Sequence, residues 1–139
     1  RRTTSGVDSS RLAMIIAVLQ RRLGVQLGNS DVYVSTVGGA KVVDPAADVA
    51  IAVALLSSVL DGPPHPQVAV LGEIGLSGEL RAITGYQRRI AEAARLGRTK
   101  IVAPAGAAKD VQLPKGVELV EALDLHEALN AAVPKYGKK

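Results

Sequence analysis

The sequence predicts one α/β (α+β) domain in which helices pack on a mixed sheet. Three observations predict it. The second half of the chain runs through a hairpin and then alternates strand, helix, strand, helix. A helix-start signal at Asp44-Pro45 opens an uninterrupted apolar run from Val49 to Leu56. Across 139 residues, 47% are apolar and 22% charged, a composition able to bury a real core.

Residues 8–23 read as a helix. Asp8 or Ser9 caps its first free N–H groups, and Gly24 stands where a left-handed stop belongs. Leu12, Ile15, Ile16, Leu19 and Leu23 make one apolar stripe, and Arg11 and Arg22, about three turns apart, share a face. Asp31–Val37, rich in β-branched residues, reads as a strand. Gly38-Gly39 turns the chain into a short strand, Lys41-Val42-Val43. Asp44 caps and Pro45 opens a helix over 45–60, and Asp48 places negative charge at its positive end. Because this helix is apolar on every face, burial all round is expected. Val68–Gly72 reads as a buried strand. Gly75 and Gly78 bracket a turn, and Glu79–Ile83 returns as the hairpin partner. Glu73 is an acid in an apolar strand, so it needs a partner, and Arg81 on the returning strand fits. Thr84 caps a helix over 85–96 that ends at Gly97, with Arg88 and Glu92 at i,i+4 on its outer face. Strands at 100–103 and 117–120 precede a helix over 125–133, whose start carries Asp124 and Glu127 as an acidic capping box. Residues 1–7 read as a linker, 8–134 as the domain and 135–139 as a frayed basic tail.

Composition excludes several chemistries. Without cysteine there is no disulfide, thiol nucleophile or thiolate zinc site, and His65 and His126 have no partner at ligand spacing. No apolar run is long enough to span a bilayer. The opening Arg1-Arg2-Thr3-Thr4 has neither an initiating Met nor an apolar signal region, which reads as a fragment of a longer, cytoplasmic protein. The glycines of Gly72–Gly78 lack a phosphate-loop ending and serve tight turns. Ser57 and Ser58 close an apolar helix and form no triad with a base. With only Tyr33, Tyr86 and Tyr136 as aromatics, base stacking on single strands has little to work with.

The net charge of +4 is uneven. Residues 1–23 carry +4, residues 24–80 carry −5, residues 81–100 carry +5, and the remainder balances. The two basic blocks are Arg1, Arg2, Arg11, Arg21 and Arg22, and Arg81, Arg88, Arg89, Arg95, Arg98 and Lys100. Their arginine forks match phosphate geometry; the alternative is two helices with solvated basic faces.

The stretch Asp44-Pro45-Ala46-Ala47-Asp48-Val49-Ala50-Ile51-Ala52, followed by Gly72-Glu73-Ile74-Gly75-Leu76-Ser77-Gly78-Glu79-Leu80-Arg81-Ala82-Ile83, resembles the proteolytic domain of Lon proteases over roughly residues 30–105. The opening Arg1–Asp8, with Arg11-Leu12-Ala13 and Ala17-Val18-Leu19, is instead similar to the C-terminal Lon-like domain of the bacterial RadA (Sms) DNA-repair family. Active Lon proteases have Gly-Pro-Ser-Ala-Gly where this chain has residues 44–48, which puts Ala46 at the nucleophile position. Their catalytic lysine corresponds to Gln87. A methyl group cannot attack a carbonyl, and an amide cannot replace an amine as base.

The resemblance implies a Lon-like fold and a non-catalytic module. It makes residues 1–7 a link from an upstream RecA-like ATPase core, so that the whole protein is a DNA-dependent ATPase acting in recombination and branch migration. ATP, Mg and Zn belong in that picture only to the upstream domains, with no cofactor or metal in this chain. The implied partners are further copies of itself in a hexameric ring, double-stranded DNA bound without sequence preference, a recombinase and a replicative helicase system, and no membrane. All eleven residues of the two basic blocks are DNA-contact candidates. The alternatives are a purely structural oligomerisation domain and a residual peptidase with another nucleophile.

Overall fold

A computed structural model describes residues 1–109 and 111–137. Its elements in chain order are β1 (Arg2–Ser5), α1 (Ser9–Leu23), β2 (Val32–Ser35), α2 (Asp48–Leu60), β3 (Val68–Val70), β4 (Glu73–Ile74), β5 (Leu80–Arg81), α3 (Tyr86–Arg95), β6 (Lys100–Pro104), β7 (Glu118–Ala122), α4 (Leu125–Ala132) and the single turn α5 (Pro134–Gly137). Short 3-10 turns at Val37–Gly39 and Pro45–Ala47 precede α2. The expected mixed α/β class is what the chain adopts. β1 and β2 pair in parallel; β3, β6 and β7 form a parallel sheet in that order; β4 and β5 form the antiparallel hairpin.

The apolar stripes meet in one core. Leu12, Ile15 and Leu19 of α1 and Val49 and Leu56 of α2 are closed off from water together with Leu125 and Leu129 of α4. Strand alternation sends Val102 of β6 into this cluster, while Ile101 is buried outside it; Ile90, also outside it, is the fully buried residue of α3. The predicted caps of α1 form: Asp8 accepts from the Arg11 amide and Gly24 takes the left-handed conformation. Asp124 likewise accepts from the Glu127 amide, and the Glu127 carboxylate accepts from Leu123.

Four expectations are corrected. Residues 1–7 are part of the fold rather than a linker: Arg2–Ser5 is β1, and Val7 bridges Val42. The reason is tertiary, because the Arg2 guanidinium satisfies the carbonyls of Ser30 and Leu27 in the turn before β2. Lys41–Val43 is not a full strand, since only Val42 pairs. α2 is not buried all round: Ala50, Ala54 and Val59 face solvent, because the packed elements cover one side of it only. Finally, Lys135–Gly137 is not frayed. Tyr136 is buried and its hydroxyl lies 2.7 Å from His126 Nδ1, while burial pushes the phenol's pKa up. Lys138 and Lys139 lie outside the described residues.

Gly6 makes the hinge between β1 and α1. Its φ is +83°, and a Cβ there would fall 2.5 Å from the Ala40 carbonyl oxygen and 2.3 Å from Thr36 Oγ1. Gly24 has a similar φ of +68° but open space around it. Replacing Gly6 with Ala is therefore expected to cost about 1–3 kcal/mol, backbone strain plus collision, and clearly more than Gly24→Ala. Thermal denaturation of the two variants side by side checks the order.

Candidate functional site

The resemblance puts the protease nucleophile position at the start of α2, where the backbone is engaged in internal bonds. Asp44 Oδ1 accepts from the Ala46 amide at 3.0 Å, and Pro45 occupies the first helical position. Ala46 is buried, and its carbonyl accepts from Gly72 N at 2.9 Å. Gly72 returns the contact by accepting from Val49 N at 3.2 Å. This two-bond clasp holds the α2 start against the β3–β4 connection. It requires glycine: φ is +150°, and a Cβ would come within 3.0 Å of Val49 Cγ2.

Beneath the clasp lies a buried charge. Asp48 is 1% exposed. Its carboxylate accepts from Arg11 Nε at 2.8 Å, from Arg11 Nη2, and from the Ile74 amide at 3.0 Å. A buried carboxylate is tolerated only with this kind of paired, hydrogen-bonded surrounding. The fork also raises the Arg11 pKa, chiefly through the hydrogen bond to Asp48. Arg11 Nη2 stands 3.6 Å from Glu73 Oε2, and Arg81 Nη1 stands 3.7 Å from the same oxygen. The expected Glu73–Arg81 pair is present, in direct register across the hairpin, with Arg11 as an additional partner. Asp48 was expected only to complement the helix end; its burial and its fork with Arg11 were missed. The signal available was a lone acid immediately preceding an apolar run.

Gln87, which the resemblance sets at the protease lysine position, is clasped to the loop between β6 and β7. Its Nε2 donates to the Gln112 carbonyl at 3.1 Å, and its Oε1 accepts from the Gln112 amide at 2.8 Å. Thr84 does not cap α3 as expected: Gly85 occupies the cap position with φ +77° and no side-chain bond. The Thr84 carbonyl instead accepts from Arg89 Nε at 2.8 Å.

The two basic blocks divide into committed and uncommitted side chains. Arg11 is held by Asp48 and Arg81 by Glu73 and Glu79. Arg89 pairs with Asp44 at 2.8 Å, and Arg95 forks onto Glu92 at 2.8 and 2.6 Å. The i,i+4 pair with Glu92, the alternative role for Arg88, thus gives way to Glu92–Arg95 at i,i+3, whose geometry lets both oxygens be used. Arg2 and Arg98 donate to backbone carbonyls. Arg21, Arg22, Arg88 and Lys100, and the guanidinium of Arg1, have no ion pair or hydrogen bond of their side chains among the described residues. Arg22 lies with its stem against Gly78 at the tip of the β4–β5 turn.

His65 Nδ1 accepts from the Gln67 amide at 3.3 Å, a loop contact. Among the described residues no group of three or more His, Cys, Asp or Glu side chains could hold a metal ion, and no helix is long and apolar enough to cross a membrane.

The Lon protease (S16) C-terminal proteolytic domain family matches residues 14–133. The chain belongs to that family. This Lon-type chain is also similar to proteins named DNA repair protein RadA. It is 47% identical to that of Streptococcus pyogenes serotype M1, over 94% of this chain and 29% of the relative. It is 44% identical to that of Mycolicibacterium smegmatis over 93% of this chain and 27% of the relative, and 38% identical to that of Bacillus subtilis over 96% and 29%. The Lon-type chain therefore spans less than a third of the length of the curated relatives it matches. The RadA similarity reaches further along the chain than the family match, which begins inside α1.

Arg11→Ala strands the Asp48 carboxylate and is expected to cost about 3 kcal/mol, the low end for breaking a buried pair because Arg11 keeps some contact with water. Arg95→Ala, on the exposed face of α3, is expected to leave the denaturant midpoint unchanged. Asp44 is held below its ordinary pKa, first by the Ala46 amide and then by Arg89. A depressed folded-state pKa supplies stability above the ordinary carboxylate range that is lost as pH falls through the folded value. Asp44→Ala should lose about 1 kcal/mol of capping at neutral pH and show a smaller acid-side fall in stability, read from urea midpoints across pH.

Proposed function

We propose that this Lon-type chain is a non-catalytic module of a DNA-repair protein, serving as a ring-forming scaffold and as a surface for double-stranded DNA. The observation that carries the reading is that both positions assigned to the protease dyad hold inert, structurally committed groups. Ala46 is buried inside a backbone clasp, and the Gln87 amide is engaged at both ends by Gln112. A nucleophile and a base are what acyl transfer needs, and neither is offered here. The similarity to proteins named for DNA repair, over 94% of the chain, supplies the context. In that context ATP hydrolysis, with its Mg, and zinc binding belong to other parts of a longer protein. A recombinase and a replicative helicase system are its further partners, in the cytoplasm.

Arg1, Arg21, Arg22, Arg88 and Lys100 are the cations best placed for phosphate, since among the described residues no carboxylate pairs with their side chains, although Asp31 holds the Arg1 ammonium and Asp44 feels the charge of Arg88. Phosphate contacts of this kind carry little sequence preference. The rival reading, a scaffold that does not touch DNA, is favoured by the six basic residues already engaged within the chain: Arg2, Arg11, Arg81, Arg89, Arg95 and Arg98.

Fluorescence anisotropy with a labelled duplex separates the two. If four of these cations meet phosphates, the log–log slope of affinity against salt should be about −3.6. The double variant Arg21→Glu, Arg22→Glu should weaken binding and flatten the slope. A salt-independent signal, or equal binding by that variant, would remove the DNA half. Casein incubated with the chain should stay intact; cleavage blocked by a serine-reactive reagent would overturn the non-catalytic half.

A further inference from the structure

A cleft of about 400 Å³ opens where the end of α1, the β4–β5 turn and the start of α4 come together. Arg22, Ser77, Gly78, Asp124, His126 and Tyr136 line it. Two of these side chains carry opposite charge and do not meet: neither Arg22 nor Asp124 has an ion-pair partner among the described residues. Asp124 Oδ1 accepts from the Glu127 amide at 2.9 Å and so caps α4, while its second oxygen makes no hydrogen bond among the described residues. After burial, the charge of Asp124 adds to the rise in the Tyr136 pKa, so the carboxylate is felt inside the cleft. Glu79, opposite Asp124 across an antiparallel bridge, is engaged elsewhere, by the Ser77 amide and Arg81.

The remaining walls are bare backbone and a ring. Gly78, at φ +85°, has no side chain to fill the space, and a Cβ there would face the Arg22 stem at 3.7 Å. His126 is exposed, and Tyr136 fixes its ring: the hydroxyl lies 2.7 Å from Nδ1, with the two rings edge to face and their centroids 5.5 Å apart.

These features select a ligand. Asp124 repels a phosphate oxygen and Arg22 repels a cation. A neutral planar group with donors on one edge and acceptors on another satisfies both side chains. Guanine is such a group: O6 and N7 match an arginine fork, and N1–H with the N2 amine matches a carboxylate. No other DNA base offers a carboxylate two adjacent donors. Both edges are open together only in a base that is unpaired and out of the stack.

We propose that this cleft takes an unpaired guanine of bound DNA, with Asp124 on N1–H and N2, the Arg22 fork on O6 and N7, and the His126 ring against the base. Arg21 and the other uncommitted cations keep the flanking phosphates. The inference rests on the DNA half of the reading above and gives that surface a preference for duplexes that present an unpaired base.

Fluorescence anisotropy at one fixed salt concentration tests it with labelled duplexes that carry a single bulged G, A, C or T, beside the fully paired duplex. The bulged-G duplex should bind about tenfold more tightly than the paired duplex and than the other three bulges, the discrimination expected of a good bidentate base contact. Inosine at the bulge lacks the N2 amine and should lower that preference. Asp124→Asn keeps a residue able to cap α4 and should bring the bulged-G duplex to the level of the other bulges. Arg22→Gln, on the last turn of α1, should do the same and serves as the second variant, with circular dichroism confirming the fold of each. Equal affinity for the four bulges would overturn the selection of guanine, and a bulged-G preference that survives both substitutions would overturn the cleft as its site. Either result leaves duplex binding standing. A chain that binds none of these duplexes removes this proposal and the DNA reading together.

Discussion

Removing a carboxylate from water costs several kcal/mol unless its charge and lone pairs are matched, and Asp48 is almost wholly removed. Three donors match it: two from the Arg11 fork and one from the Ile74 amide. Those donors come from α1 and β4, so one buried charge orients the first helix, the central helix and the hairpin against one another. Glu73 and Arg81 continue the network to the returning strand. Apolar burial supplies the bulk of the core's stability, but it is non-directional. The ionic contact adds direction, placing the start of α2 at one depth and one rotation relative to α1.

That placement bears on chemistry. A protease needs a nucleophile at a position where substrate can reach it and a base beside it. The Gly72–Ala46 clasp and the Asp44 cap use the backbone groups near the α2 start for internal bonds, and the side chain at Ala46 is a buried methyl. Gln87 joins α3 to the β6–β7 loop by a two-way amide contact.

Electrostatics divides the surface in a way net charge does not report. Arg89, Arg95 and Arg81 sit in carboxylate pairs, which lowers their availability to an outside anion. Arg21 and Arg22 end α1, where positive charge also complements the helix dipole, and their heads remain unpaired among the described residues. Charge available to a partner is therefore concentrated on fewer side chains than the eleven basic residues of the two blocks.

Much of the fold was legible in the sequence because its signals are local. Asp8 and Gly24 bound α1, Asp44-Pro45 open α2, Asp124 caps α4, and the glycines at 75 and 78 mark the hairpin turn; each acts within a turn or two of chain. The inert side chains at positions 46 and 87 are likewise properties of the sequence alone. What it did not disclose depends on contacts between distant residues. β1 exists because its backbone pairs with β2 thirty positions on, with Arg2 tied to the carbonyls at 27 and 30, and Tyr136 joins the apolar core with its hydroxyl at His126. The Asp48–Arg11 fork spans 37 positions. By itself the sequence determined the class, the caps, the stripes and the identities of the side chains at 46 and 87, since these follow from local backbone preference and side-chain chemistry. Which arginines are held, which face of α2 stays open and which strand edge is left unpaired were decided only by the tertiary structure, because burial and pairing are properties of what packs alongside a residue.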